Sequence, residues 1–104
     1  MEKKFKFEHL EFSHLEEIQI LQKMNIREVN NVWTKSELLS LQRKKDNFLR
    51  VSIYKEKIVG FSLFSYVQDV MDTLIIFVDP NFRRMGIAKR FISDAATFCR
   101  KKKY

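Results

Sequence analysis

Val78-Asp79-Pro80-Asn81-Phe82-Arg83-Arg84-Met85-Gly86-Ile87-Ala88 is the segment from which the rest of the chain can be read. Its lead-in, Leu74-Ile75-Ile76-Phe77-Val78, is an uninterrupted apolar run that reads as a strand, terminated by Asp79-Pro80. Beyond it, Ile87, Phe91, Ala95, Phe98 and Cys99 fall at i, i+4, i+8, i+11 and i+12, one continuous apolar helix face. A strand therefore passes through a short turn into a helix that starts at a glycine. The first turn of a helix leaves backbone N–H groups without intrahelical partners, and with the positive end of the macrodipole they make an anion site. Gly86 lets the backbone approach a ligand closely, and small Ala88 keeps a second approach open. Arg83, Arg84, Lys89 and Arg90 surround that point with positive charge. The arrangement reads as a diphosphate pocket. It is neither a Walker loop, since the Gly-Lys-Ser/Thr ending is absent, nor a GxGxxG turn.

Working back toward the N-terminus, Ile58 to Val67 is apolar on both faces, with Val59, Phe61, Leu63 and Val67 on one and Ile58, Phe64 and Tyr66 on the other. Such a strand belongs inside a sheet covered on both sides. Gly60 marks a bulge or a close approach within it. Leu49, Val51 and Ile53 alternate with polar neighbours as a strand with one buried face, joined to the next by a tight turn at Lys55-Glu56-Lys57. Gln68 and Asp69 mark the following turn. Thr34 with Glu37 is a capping-box pattern opening a short helix to about Lys45, and Ser13 with Glu16 opens another to Met24. Phe5 and Phe7 alternate with Lys6 and Glu8 as a first strand. The order is β-α-α-β-β-β-α, a mixed α/β fold.

A chain of 104 residues has room for one domain, spanning 1–104, with one modest core. Its single Cys excludes a disulfide framework and fits a reducing compartment. No apolar run reaches membrane-spanning length and the start lacks a signal-peptide stretch, so a cytoplasmic location without membrane association is expected. The net charge of +7 is local: residues 1–79 carry 12 basic and 12 acidic side chains, residues 80–104 carry 8 and 1. A chain-wide nucleic-acid surface is disfavoured by that distribution. His9 and His14 have no ligand-like partner set, so no metal is expected.

The composite strand–DP–turn–RRxGxA–helix, with VDPNF before it, resembles the acetyl-CoA signature of the GNAT N-acetyltransferase superfamily. The same element order extends from Phe5 to Lys103. Val32-Trp33-Thr34, the short helix after it and VDPNFRR are similar to RimI-type ribosomal-protein alanine acetyltransferases, except that Val32 stands where proline is common. The resemblance implies acetyl-CoA as cosubstrate, with the pantetheine arm along the backbone of Ile76, Phe77 and Val78. It places the pyrophosphate at Arg84, Met85, Gly86, Ile87, Ala88 and Lys89. It further implies direct attack of an amine on the thioester, the acceptor being a protein N-terminus, by the RimI likeness an N-terminal alanine of a ribosomal protein.

Family members continue with a further strand, helix and strands that carry an acidic base and an Asn-x-x-Ala…Leu-Tyr motif. Nothing here matches these, and Tyr104 sits in no such motif. The resemblance thus implies a GNAT fold lacking its C-terminal strand–helix–strand portion, with Asp72 the one carboxylate near an amine path and so the candidate general base. It also leaves Leu74–Val78 as an open edge prone to self-association. Two other functions fit: an inactive remnant that binds CoA or a partner protein, and a small basic RNA-associated protein. For individual residues the plainer assignments are a solvated helix end for Arg100–Lys103 and a core position for Cys99. Trp33 is open between core anchor and groove wall.

Overall fold

The computed structural model describes residues 4–29 and 31–103. Its strands are β1 (Lys6–His9), β2 (Asn47–Tyr54), β3 (Lys57–Val67) and β4 (Val70–Val78), and its helices α1 (Leu15–Met24), α2 (Lys35–Gln42) and α3 (Ile87–Lys103). The four strands form one antiparallel sheet in the order β1-β2-β3-β4, giving an α/β fold with the expected succession of elements.

The two hairpins turn on residue pairs with positive φ, Lys55-Glu56 (48° and 66°) and Gln68-Asp69 (50° and 65°). Two consecutive left-handed residues match the right-handed twist of the flanking strands. Lys57, expected in the turn, already belongs to β3.

α1 and α2 cover one sheet face, closing a core of Leu15, Ile18, Leu38, Val51, Phe61 and Leu63 with their neighbours. α3 covers the other, where Phe91 and Ile87 pack with Val59, and Ala95 with Phe48 and Phe64. β2 is therefore buried on both faces, since Phe48 and Ser52 lie under α3. The alternation assigned to β3 breaks at one place. Ser52 pairs with Gly60 but Ile53 with Ile58, so Val59 is an extra residue in a β-bulge. The bulge turns Val59 to the α3 side and Ile58 to the other, the reverse of simple alternation. Val67, at the hairpin end, is exposed rather than core.

Gly60 stands at this bulge as a close approach. A Cβ there would lie 2.8 Å from Ser52 Oγ, 2.9 Å from the Phe77 carbonyl oxygen and 3.5 Å from the Phe91 ring. A second bulge falls in β4, where Leu63 pairs with Ile75 and Phe64 with Thr73, leaving Leu74 over.

Of the two capping boxes, Thr34–Glu37 forms: the Glu37 N–H donates to Thr34 Oγ1 at 3.1 Å and the Thr34 N–H to Glu37 Oε1 at 3.0 Å. Ser13–Glu16 does not. A 3-10 turn over Phe12–His14 precedes α1, and the Glu11 N–H donates to His14 Nδ1 at 2.9 Å. Glu16 instead pairs with Lys35 of α2. Gln22 is fully buried and clamps the segment before α2: the Trp33 N–H donates to its Oε1 at 2.8 Å and its Nε2 to the Trp33 carbonyl at 3.1 Å.

Candidate acetyl-CoA site

The end of β4, the turn after it and the start of α3 line an open cavity of about 620 Å³. Asp79 shapes the turn. Its N–H extends the sheet pairing by donating to the Val59 carbonyl at 2.8 Å, and its carboxylate accepts from the Asn81 N–H at 2.9 Å. Pro80 supplies the first residue of a short 3-10 turn, where its missing N–H costs nothing.

The chain then reverses through two left-handed residues, Arg84 at φ 64° and Gly86 at φ 84°. The first bond of α3 joins the Arg90 N–H to the Gly86 carbonyl at 3.0 Å. The N–H groups of Ile87, Ala88 and Lys89 therefore precede the intrahelical ladder. A Cβ built on Gly86 meets nothing within 4 Å. This open approach to bare backbone donors, flanked by cations, is what a diphosphate requires.

The edge of β4 supplies the other wall. Because Asp79 N–H and the Phe77 carbonyl point toward β3, antiparallel alternation turns the N–H and C=O of Ile76 and Val78 to the open edge. Phe77 is among the lining residues, and it pairs with Phe61 of β3 in the sheet. Among the described residues no strand pairs with β4 beyond β3.

Eight of the nine residues assigned to the cosubstrate line this one cavity: Ile76, Phe77, Val78, Arg84, Gly86, Ile87, Ala88 and Lys89. Met85 is outside the lining and is 42% exposed. Three lining residues were not assigned to it from sequence: Glu28, Phe82 and Arg83. Arg83 was visible as part of the basic cluster, whereas Glu28 lies 55 positions away in the chain and carries no local signal.

Asp72 is not part of the cavity. It lies in β4 opposite Ser65 of β3, is exposed, and stands four residues before Ile76, roughly 13 Å along an extended strand. Trp33 packs against the core and lines a separate shallow groove with α2. Cys99 is half-buried on α3, and Tyr104 lies outside the described residues. The basic segment is partly neutralised: Arg83 pairs with Glu28, Arg90 with Asp94 at 3.0 Å and Lys102 with Asp46 at 2.8 Å.

The chain belongs to the acetyltransferase (GNAT) family, whose model matches residues 12–104. No curated protein matches it in sequence. Among solved structures it superposes on a PaiA N-acetyltransferase from Thermoplasma acidophilum in complex with coenzyme A, with TM-score 0.81 and 16% identity over 96% of this chain and 74% of that one. It is similar to an aminoglycoside antibiotic 6'-N-acetyltransferase from Acinetobacter baumannii (TM-score 0.77, 16% identity, 96% and 74%). It is similar also to a ribosomal-protein-alanine N-acetyltransferase from Brucella melitensis biovar Abortus (TM-score 0.76, 16% identity, 97% and 75%). Its span falls to 64% of the length of Ard1 from Thermoplasma volcanium. These likenesses establish the GNAT fold. No helix among the described residues is long and apolar enough to cross a membrane.

Proposed function

We propose that the chain binds acetyl-CoA in the cavity between β4 and α3 and serves an N-acetyltransferase reaction. The single observation that carries this is the convergence, in one cavity, of the β4 edge groups of Ile76 and Val78 with the bare α3 N-terminus at Gly86–Lys89. The helix-start N–H groups, with Arg84 and Lys89, hold the diphosphate. The outward N–H and C=O of Ile76 and the N–H of Val78 hold the amide-bearing arm by strand-like pairing, the Val78 carbonyl being taken by Arg83 Nε at 3.1 Å. Acetyl-CoA, when bound, supplies an activated acyl group that a neutral amine can take directly. A protein α-amino group, with pKa about 7.7–8.0, is partly neutral near pH 7, so orientation can supply much of the acceleration.

The acceptor we favour is a protein N-terminal amine, and by the RimI likeness an N-terminal alanine of a ribosomal protein. It is the finer part of the proposal, because the similar structures named above include both a ribosomal-protein-alanine enzyme and an aminoglycoside enzyme. A second reading is a protein that binds CoA without turnover. One observation favours it: Asp72 is remote, and Glu28, the one carboxylate lining the cavity among the described residues, is paired with Arg83.

Thermal unfolding with acetyl-CoA tests the binding. At 100-fold excess over Kd the gain is about 2.7 kcal/mol, on the order of 10 °C for a chain of this size. No shift at millimolar acetyl-CoA would remove both readings. Mass spectrometry of an Ala-initiated peptide and an aminoglycoside, each under saturating acetyl-CoA, then separates acceptors, and two blanks leave the binder. The open β4 edge is proposed to drive self-association, which sedimentation across a wide concentration range detects as a rising mean mass.

A further inference from the structure

Arg83 differs from the other two cations of the cavity in being already committed. Its Nε donates to the Val78 carbonyl at 3.1 Å, one Nη donates to Glu28 Oε1 at 3.4 Å, and the other pairs with Glu28 Oε2. Its guanidinium also lies 5.9 Å over the Phe77 ring. Arg84 and Lys89 have no ion-pair partner among the described residues.

Glu28 is held in place from its own side. The Glu28 N–H donates to the Asn25 carbonyl at 2.9 Å, Asn25 Nδ2 donates to the Leu21 carbonyl at 2.9 Å, and neighbouring Val29 is buried in the core. A planar guanidinium can serve a carboxylate and a strand-end carbonyl at once, which an ammonium cannot do with the same geometry.

We propose that Glu28–Arg83 is a clasp that ties the segment after α1 to the end of β4 and fixes the outer wall of the cavity. Arg83 is thereby a positioning residue that also caps the Val78 carbonyl, leaving Arg84 and Lys89 to meet the diphosphate. The clasp rests on the reading of the cavity as an acetyl-CoA site. Because both side chains are close to half exposed, it contributes little to global stability and acts through the shape of the cavity.

Calorimetric titration of acetyl-CoA into the full chain and four variants tests this. Glu28→Gln and Arg83→Gln should each weaken binding about tenfold, and the double variant should be no weaker than Arg83→Gln alone. Arg83→Lys should behave like Arg83→Gln. Retained affinity in Arg83→Lys would instead make Arg83 a plain charge for the diphosphate. Tighter or unchanged binding in Glu28→Gln would make Glu28 a competitor or a bystander, and either result overturns the clasp. Hydrogen exchange on the ligand-free protein provides an arm that needs no acetyl-CoA. Glu28→Gln should speed exchange of the amides in 25–29 and 81–86, and unchanged exchange in both overturns the clasp. If the unmodified chain binds no acetyl-CoA, the cavity reading fails and exchange alone decides the clasp.

Discussion

The chain has two glycines, and they are used in opposite ways. Gly60 sits in the β3 bulge beneath α3, where a side chain would strike Ser52 Oγ at 2.8 Å and the Phe77 carbonyl at 2.9 Å. Gly86 sits at the start of α3, where a side chain would meet nothing within 4 Å but the backbone has φ 84°. The first is glycine because the space is full. The second is glycine because the conformation is left-handed and the space must stay open. The difference teaches where this molecule spends tight packing and where it withholds it: packing holds α3 on the sheet, and the backbone at the helix start is left open.

Substitutions at the two positions should separate accordingly. The largest effect is expected from Gly60→Val, which overpacks a site bounded by backbone and should cost about 3 kcal/mol, or roughly 12–24 °C in Tm by calorimetry. Gly60→Ala should cost less, and adding Ser52→Ala should recover only part of it, since the Phe77 carbonyl cannot retreat without disturbing the β3–β4 pairing. Full recovery in the double variant would assign the constraint to the hydroxyl alone. Gly86→Ala should cost about 1 kcal/mol through its positive φ. It should weaken acetyl-CoA binding by about tenfold, a loss out of proportion to the stability change. A variant that lost stability and kept its affinity would break the contrast between the two glycines.

Arg84→Gly sharpens the contrast from the other side. It relieves the left-handed strain at φ 64° and should raise Tm by a few degrees, on the order of 0.5–1 kcal/mol, while binding weakens with the loss of a cation. The smallest effect is expected away from both regions, at Glu16. The hydrogen bond from Lys35, and then its charge, hold the Glu16 carboxyl below its ordinary value of 4.5. Its folded pKa is depressed, so its contribution is present above the unfolded pKa and fades as pH falls through the folded one. The Tm difference between the unmodified chain and Lys35→Ala should therefore vanish in strong acid, grow as pH rises toward 4.5 and be fully present above it.

Much of the cavity lining was legible because it is contiguous. Residues 76–78 and 84–89 lie within one stretch, and local rules for strand ends, helix starts and glycine already place backbone donors together. Met85, assigned for its backbone donor, is exposed and is not among the cavity's lining residues. Glu28 was illegible because its role comes from a contact with a residue 55 positions away. The Ser13–Glu16 pattern failed for a related reason: Glu16 has a tertiary partner in Lys35, and Glu11 and His14 serve the turn before α1 instead. At β3, alternation gave Ile58 and Val59 the wrong faces because a bulge is a property of two strands in register, not of one strand's pattern.

Element order, the two hairpin turns, the Thr34 cap and the open start of α3 at Gly86 all follow from interactions between near neighbours, and these are written in the order of residues along the chain. The face to which Val59 turns, the distance of Asp72 from the cavity and the pairing of Glu28 with Arg83 depend on strand register and on segments meeting across the fold. A slip in register would exchange the two faces of a strand, and both are buried here, by α1 and α2 on one side and α3 on the other.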